Sequence, residues 1–226
     1  MDYQSTFLWE KGAAQEYNRV SLILQQAVIR RQSVLLACVC ESEQDGKDGV
    51  LESGYFTEAL VEWFHRELTG LLQRKATERE VEKSLEREVD RLLKEICQYA
   101  AKREKREGLI CRGLLLWENR FWLFSKGDAQ AYLINRRFNQ RNLHNIVSNA
   151  GMEQISWEAG NVQKRLGILL CTHNFLKHVD KKQAAEVLAP EGEISEERLQ
   201  KRLQELWQEE VHKGKEASVG AVYIRT

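Results

Sequence analysis

Apolar and polar positions change their spacing several times along the chain, and each change marks an element. Thr6 to Glu10, Ser21 to Gln25 and Ser33 to Cys40 read as strands, the last so continuously apolar that it predicts a strand covered on both faces. Glu41 to Ser53, with Gly46, Gly49, Asp45 and Asp48, carries loop chemistry. From Thr57 to Gln73 the residues Leu60, Val61, Phe64, Leu68, Leu71 and Leu72 recur at three- and four-residue steps, predicting a helix capped by Thr57. A second helix is predicted from Thr77 to Arg106. Thr77 and Glu80 form a capping box at its start, and Val81, Leu85, Val89, Leu92, Leu93 and Ile96 form its apolar stripe. The pair makes an antiparallel helical hairpin over about 57–106.

Strands return at Gly108 to Leu116, Arg120 to Phe124 and Ala129 to Ile134, with turns at Glu118-Asn119 and Lys126-Gly127-Asp128, the spacing of a meander. Asn135 to Gly160 is polar and irregular. A buried strand follows at Gly167 to Cys171, then a polar turn at Thr172 to Asn174 and a short helix at Lys181 to Leu188. Pro190-Glu191-Gly192 marks a loop. Ser195 opens a helix carrying Leu199, Leu203, Leu206 and Val211, and the last strand is Val219 to Ile224. Strands, a helix pair, more strands, then a helix and a strand do not alternate as βαβ units would. The order predicts an α+β fold with mostly antiparallel sheets, in one domain spanning residues 1–226.

Charge narrows the partners. With 34 basic and 34 acidic residues there is no net field to draw the chain onto nucleic acid or an anionic membrane. The charged hairpin alternates its signs at helix spacing, which describes a solvated face. No apolar run approaches the ~20 residues of a membrane helix. Neither nucleic acid nor a membrane is expected as partner, and the chain reads as soluble and cytoplasmic. Five cysteines, four of them in or beside apolar runs, fit a reduced compartment and core packing. Cys38 and Cys40 lack the second pair that a zinc site needs.

Five landmarks, the last of them in two parts, resemble in order and spacing the protein phosphatase 2C (PPM) family. Gly12 to Val20 is similar to G-x-x-R-x-x-N-Q-D, keeping Gly12 and Asn18. Val39-Cys40-Glu41-Ser42, followed by the run to Ser53, resembles the strand ending in V-x-D-G. Gly108-Leu109-Ile110 resembles a G-T-T strand start. Ser125 to Leu133 is similar to N-x-G-D-S-R-A-Y-L, and Leu169 to Leu176 to L-L-x-T-D-G-L. Ala217 to Val222 stands in the place of a closing D-N-A-T-x-V strand. The resemblance implies two antiparallel β-sheets in a sandwich flanked by α-helices, with a site at one end between the sheets.

It also implies a site that has lost its chemistry. Family members hold two Mg²⁺ or Mn²⁺ ions with aspartates, and these ions activate water for attack on a phosphoserine or phosphothreonine. At the matching positions this chain has Val20, Glu41, His173 and Ala217, and only Asp128 is unchanged. Gln15 replaces the phosphate-binding arginine, while Ser42 and Asn174 stand where the family has glycine. Val20 and Ala217 supply neither oxygen nor charge, and Gln15 cannot reproduce a guanidinium fork. The expectation is a pseudophosphatase, a signalling domain without cofactor that binds a protein such as a phosphoprotein or a kinase. The alternative is a divergent phosphatase with one Mn²⁺ or Mg²⁺, or a transition metal, on Glu41, Asp128 and His173. A third reading makes the long charged hairpin a docking arm.

Overall fold

The computed structural model describes residues 3–13, 15–44, 46–105, 108–135, 144–145, 155–162, 164–190, 192, 194–208 and 218–226. Among these residues ten strands form two five-stranded sheets, antiparallel at every pairing. One sheet has the order β1 (Gln4–Glu10), β10 (Val219–Arg225), β9 (Leu166–Cys171), β6 (Gln130–Asn135), β7 (His144–Asn145). The other runs β2 (Val20–Ile29), β3 (Gln32–Ser42), β4 (Leu109–Trp117), β5 (Arg120–Lys126), β8 (Ser156–Asn161).

Period-two alternation on the central strands sorts the core into layers. Leu35, Ala37, Val39, Leu114, Leu116 and Leu123 meet Ala131, Ile168, Leu170, Val222 and Ile224 between the sheets. The alternate residues, including Leu36, Cys38, Cys40, Cys111 and Phe124, pack outward beneath a helical hairpin. On the opposite side Leu169, Cys171, Ala221 and Tyr223 pack beneath three short helices. The result is an α+β sandwich, two antiparallel sheets flanked by helices, as the sequence predicts.

The hairpin consists of α1 (Gly46–Trp63), a π-helical turn (Phe64–Leu68), α2 (Thr69–Gln73) and α3 (Glu78–Ala101). Thr77 caps α3 with the predicted capping box. Three expectations are corrected here. Helix α1 begins at Gly46, so most of Glu41 to Ser53 is strand end and helix, and Thr57 lies inside the helix and caps nothing. Its hydroxyl donates to the Ser53 carbonyl at 3.0 Å and the Gly54 carbonyl at 2.9 Å. Helix α3 ends at Ala101, short of Arg106; Arg103 and Glu104 turn back on the carbonyls of Ala100 and Ala101.

The meander is also broken. β4 and β5 pair, but after the turn at Gly127, whose positive φ of 72° suits glycine, the chain crosses and β6 joins the other sheet. β8 lies inside the stretch read as irregular, and β5 pairs with it. The turn expected at Thr172 to Asn174 is the start of α4 (His173–His178), followed by α5 (Lys181–Val187) and α6 (Glu196–Gln208). Val211 lies outside the described residues.

Edge strands β1 and β2 lie side by side, each with one hydrogen-bonded neighbour. The Trp9 indole bridges them, donating to the Val20 carbonyl at 2.7 Å. Among the described residues no helix is long and apolar enough to cross a membrane.

Candidate functional site

The end of β3, the β5–β6 turn and the start of α4 converge at one end of the sandwich. Glu41 closes the inward-facing row of β3, opposite Val20 on β2 and Ile110 on β4. The Asn174 amide donates to Glu41 Oε1 at 3.2 Å, and His173 Nδ1 lies 3.4 Å from Asp128 Oδ2. Asn174 thus meets Glu41, and its neighbour His173 faces Asp128. Burial pushes the Glu41 carboxyl up to about 7, with Asp128 and Glu43 adding to the rise and Arg19 opposing it.

The other positions are occupied differently. Val20 is 1% exposed and aims across the sandwich at Gly220. A methyl on Gly220 would come within 2.6 Å of Val20 Cγ1, so the two sheets are in apolar contact at Val20. Ser42 turns the other way. It is fully buried on the helix side, where its hydroxyl donates to Glu52 Oε2 at 2.6 Å. Gln15 accepts a hydrogen bond from the Ser218 hydroxyl, which also receives the Gly12 N–H at 3.2 Å. Asp48 is drawn away by Arg103 and Lys105, at 2.5 and 2.6 Å. Ala217 and Asp45 lie outside the described residues.

A pair of divalent cations requires several convergent oxygens, most of them charged. Among the described residues no three His, Cys, Asp or Glu side chains come together in a way that could hold a metal ion. Asp128 and His173 are each more than half exposed, and Glu41 is engaged by Asn174. With Val20 closed on Gly220, the side chains among the described residues do not fit a two-ion centre.

Two cations at this end were not singled out from the sequence. Arg19 donates to the Glu43 and Gln44 carbonyls at 3.3 and 3.4 Å and acts on the charge of Glu41. Arg112 sits in the middle of β4, between Val39 on β3 and Ser125 on β5. It is 2% exposed, and among the described residues its Nε and Nη1 have no hydrogen-bond partner. An unpaired buried charge costs on the order of several kcal/mol, so its presence demands a reason. A single charged residue interrupting the apolar run Leu109 to Leu116 was the signal in the sequence.

No family profile matches the sequence, and no curated protein does. Solved structures do match over nearly the whole chain. An arginine variant of a bacterial serine phosphatase is 17% identical, with a TM-score of 0.76 over 99% of this chain and 98% of that one. PppA, described as a key regulatory component of T6SS in Pseudomonas aeruginosa, is 15% identical with a TM-score of 0.75, covering 99% and 97%. The catalytic domain of the serine/threonine phosphatase PstP, in complex with two manganese ions, is 15% identical with a TM-score of 0.72 over 99% and 97%. The fold of this chain is that of the bacterial phosphatases of the 2C type.

Proposed function

We propose that this chain is a pseudophosphatase, a phosphatase 2C-like domain that binds a protein partner in the cytoplasm, a phosphoprotein or a kinase, without hydrolysing it. The observation that carries the reading is the contact of Val20 with Gly220. Where the family places its first metal-binding aspartate, this chain has a buried methyl group packed on the opposite sheet. Val20 and Ala217 remove two ligands outright, and Gln15, held by Ser218, presents no fork to a phosphate. A regulatory role is in keeping with PppA, whose own description is regulatory.

The test is phosphate release from a phosphoserine peptide with millimolar Mn²⁺ or Mg²⁺. The expected result is no release above the protein-free rate. Metal-dependent release that Glu41→Ala abolishes would overturn the reading.

One contact favours the alternative, a divergent phosphatase with a single metal. His173 Nδ1 and Asp128 Oδ2, 3.4 Å apart, are both ligand atoms near Glu41. Calorimetric titration with Mn²⁺ separates the two readings. Heat lost in both Glu41→Ala and His173→Ala supports the rebuilt site, and no heat in the wild type removes it.

A further inference from the structure

Between α1 and α3 the hairpin holds an open cavity of about 430 Å³. Leu51 and Tyr55, one turn apart on α1, line one wall, and Gln98, Tyr99 and the cap residue Lys102, at the end of α3, line the other. The two helices are tied at both ends of this cavity and bare between. At one end the Tyr55 hydroxyl donates to Glu95 Oε2, and at the other Asp48 holds Arg103 and Lys105 at 2.5 and 2.6 Å. Asp48 and Tyr55 are two turns apart on α1, so the ties stand roughly 10 Å from one another, the reach of about three extended residues.

The walls leave apolar surface in water. Leu51 is 52% exposed, Tyr55 44% and Tyr99 37%, and among the described residues the other large apolar side chains exposed to this degree, Phe7, Trp9 and Val28, lie away from the cavity. Such surface gathered in one concave place marks a contact to be made. Arg103 stacks over the Tyr99 ring at 4.5 Å and holds that wall in position before any partner arrives.

Charge decides what the partner carries. The carboxylates that line the cavity or tie its ends are matched: Glu95 by Arg91 at 2.7 Å, Asp48 by two cations, and the buried Glu52 by the Ser42 hydroxyl at 2.6 Å. Lys102 Nζ has no partner among the described residues, and neither do the Gln98 amide and the Tyr99 hydroxyl on the same wall. One wall therefore offers a cation and two further donors beside an apolar hollow, which is complementary to an apolar side chain followed by an anion.

We propose that the cavity between α1 and α3 receives a leucine or aromatic side chain of a protein partner, with an adjacent aspartate or glutamate of that partner on Lys102. Resting on the pseudophosphatase reading for the existence of a protein partner, the proposal deepens it by placing the docking arm expected from the sequence at one end of the hairpin.

The experiment is selection of random short peptides, displayed on phage, on the full chain, followed by calorimetric titration with the recovered peptides made synthetically. Recovered peptides are expected to carry a leucine or aromatic residue beside an aspartate or glutamate, and to bind more weakly as salt rises. Leu51→Gln should weaken binding at least about tenfold, the loss of an anchoring contact. Lys102→Glu should weaken it at low salt and remove the salt dependence. Both replaced side chains are exposed, and an unchanged urea midpoint shows that each variant folds. No recovered peptide, recovered peptides without an acidic residue, or unchanged binding by either variant would overturn the proposal. So would self-association of the chain that Leu51→Gln abolishes, since the occupant is then a second copy, or displacement of every recovered peptide by dodecanoate, which would assign the cavity to a small amphiphile. Phosphate release in the separate activity assay would count against the pseudophosphatase reading and leave the peptide result standing.

Discussion

The Asn174 amide donates to the Glu41 carboxylate at 3.2 Å, joining the first turn of α4 in one half of the sandwich to the last residues of β3 in the other. Glu41 meets this donor in a buried setting that raises its pKa from 4.5 to about 7. An acid whose folded pKa is raised binds more protons folded than unfolded between those values, so stability falls as pH rises from about 4.5 to 7 and stays low above. The full shift corresponds to about 3 kcal/mol. Glu41→Gln should be more stable than the wild type at pH 8 and lose that advantage by pH 4, as read by urea unfolding. A parallel pH profile for the two proteins would contradict the assigned cause.

Val20 and Gly220 make a second test. Gly220→Ala would press a methyl against Val20 Cγ1 at 2.6 Å and Leu22 Cδ2 at 2.9 Å, and overpacking of this kind costs about 1–3 kcal/mol. Val20→Ala, made in the same protein, clears part of that space. The double variant should therefore be more stable than the sum of the single effects allows, by about 0.5 kcal/mol or more. Strict additivity would mean that the sheets are not in contact there.

Thr77 and Glu80 cap α3 reciprocally: the Thr77 N–H donates to Glu80 Oε2 at 2.7 Å, and the Glu80 N–H to Thr77 Oγ1 at 3.3 Å. Thr77→Ala is expected to cost about 1 kcal/mol in denaturant unfolding. A loss confined to the hairpin, seen as faster amide exchange in α3, would show that the helix frays from this end.

Ser42 should matter to folding and not to the cleft. Its hydroxyl satisfies the buried Glu52 at 2.6 Å and accepts the Gln44 N–H at 3.1 Å. Ser42→Ala removes both bonds and leaves Glu52 Oε2 with the Gly108 N–H at 3.4 Å, at a cost of about 2 kcal/mol. Urea unfolding at the wild-type midpoint would show that these bonds carry no stability.

Much of this was legible in the sequence, for reasons that also explain the gaps. Leu35, Leu36, Ala37, Cys38 and Val39 declare a strand covered on both sides because no polar residue interrupts them. The first two turns of α1 were hidden because its buried face carries Gly49, Ser53 and Thr57, which hydropathy counts as loop. Small size lets that face approach the sheet, and the Ser53 hydroxyl hides its polarity on the Gly49 carbonyl at 3.1 Å. β8 escaped because Ser156 to Asn161 stays partly exposed on an edge position. Nothing local in the turn at Gly127 says which sheet the next strand will join. Motif order named Glu41, Asp128 and His173 as one group, and the contacts seen are His173 with Asp128 and Asn174 with Glu41. Arg112 belongs to none of those motifs, and its burial emerges only once β4 is known to face another sheet.

The indole of Trp9 on the Val20 carbonyl has a consequence for self-association. β2 ends its sheet, and a bare strand edge is a template on which another chain can add a strand. By occupying the outward carbonyl next to the cleft, Trp9 denies an incoming strand its first acceptor, so this aromatic side chain works as a guard against polymerisation as well as a clamp between the two sheets.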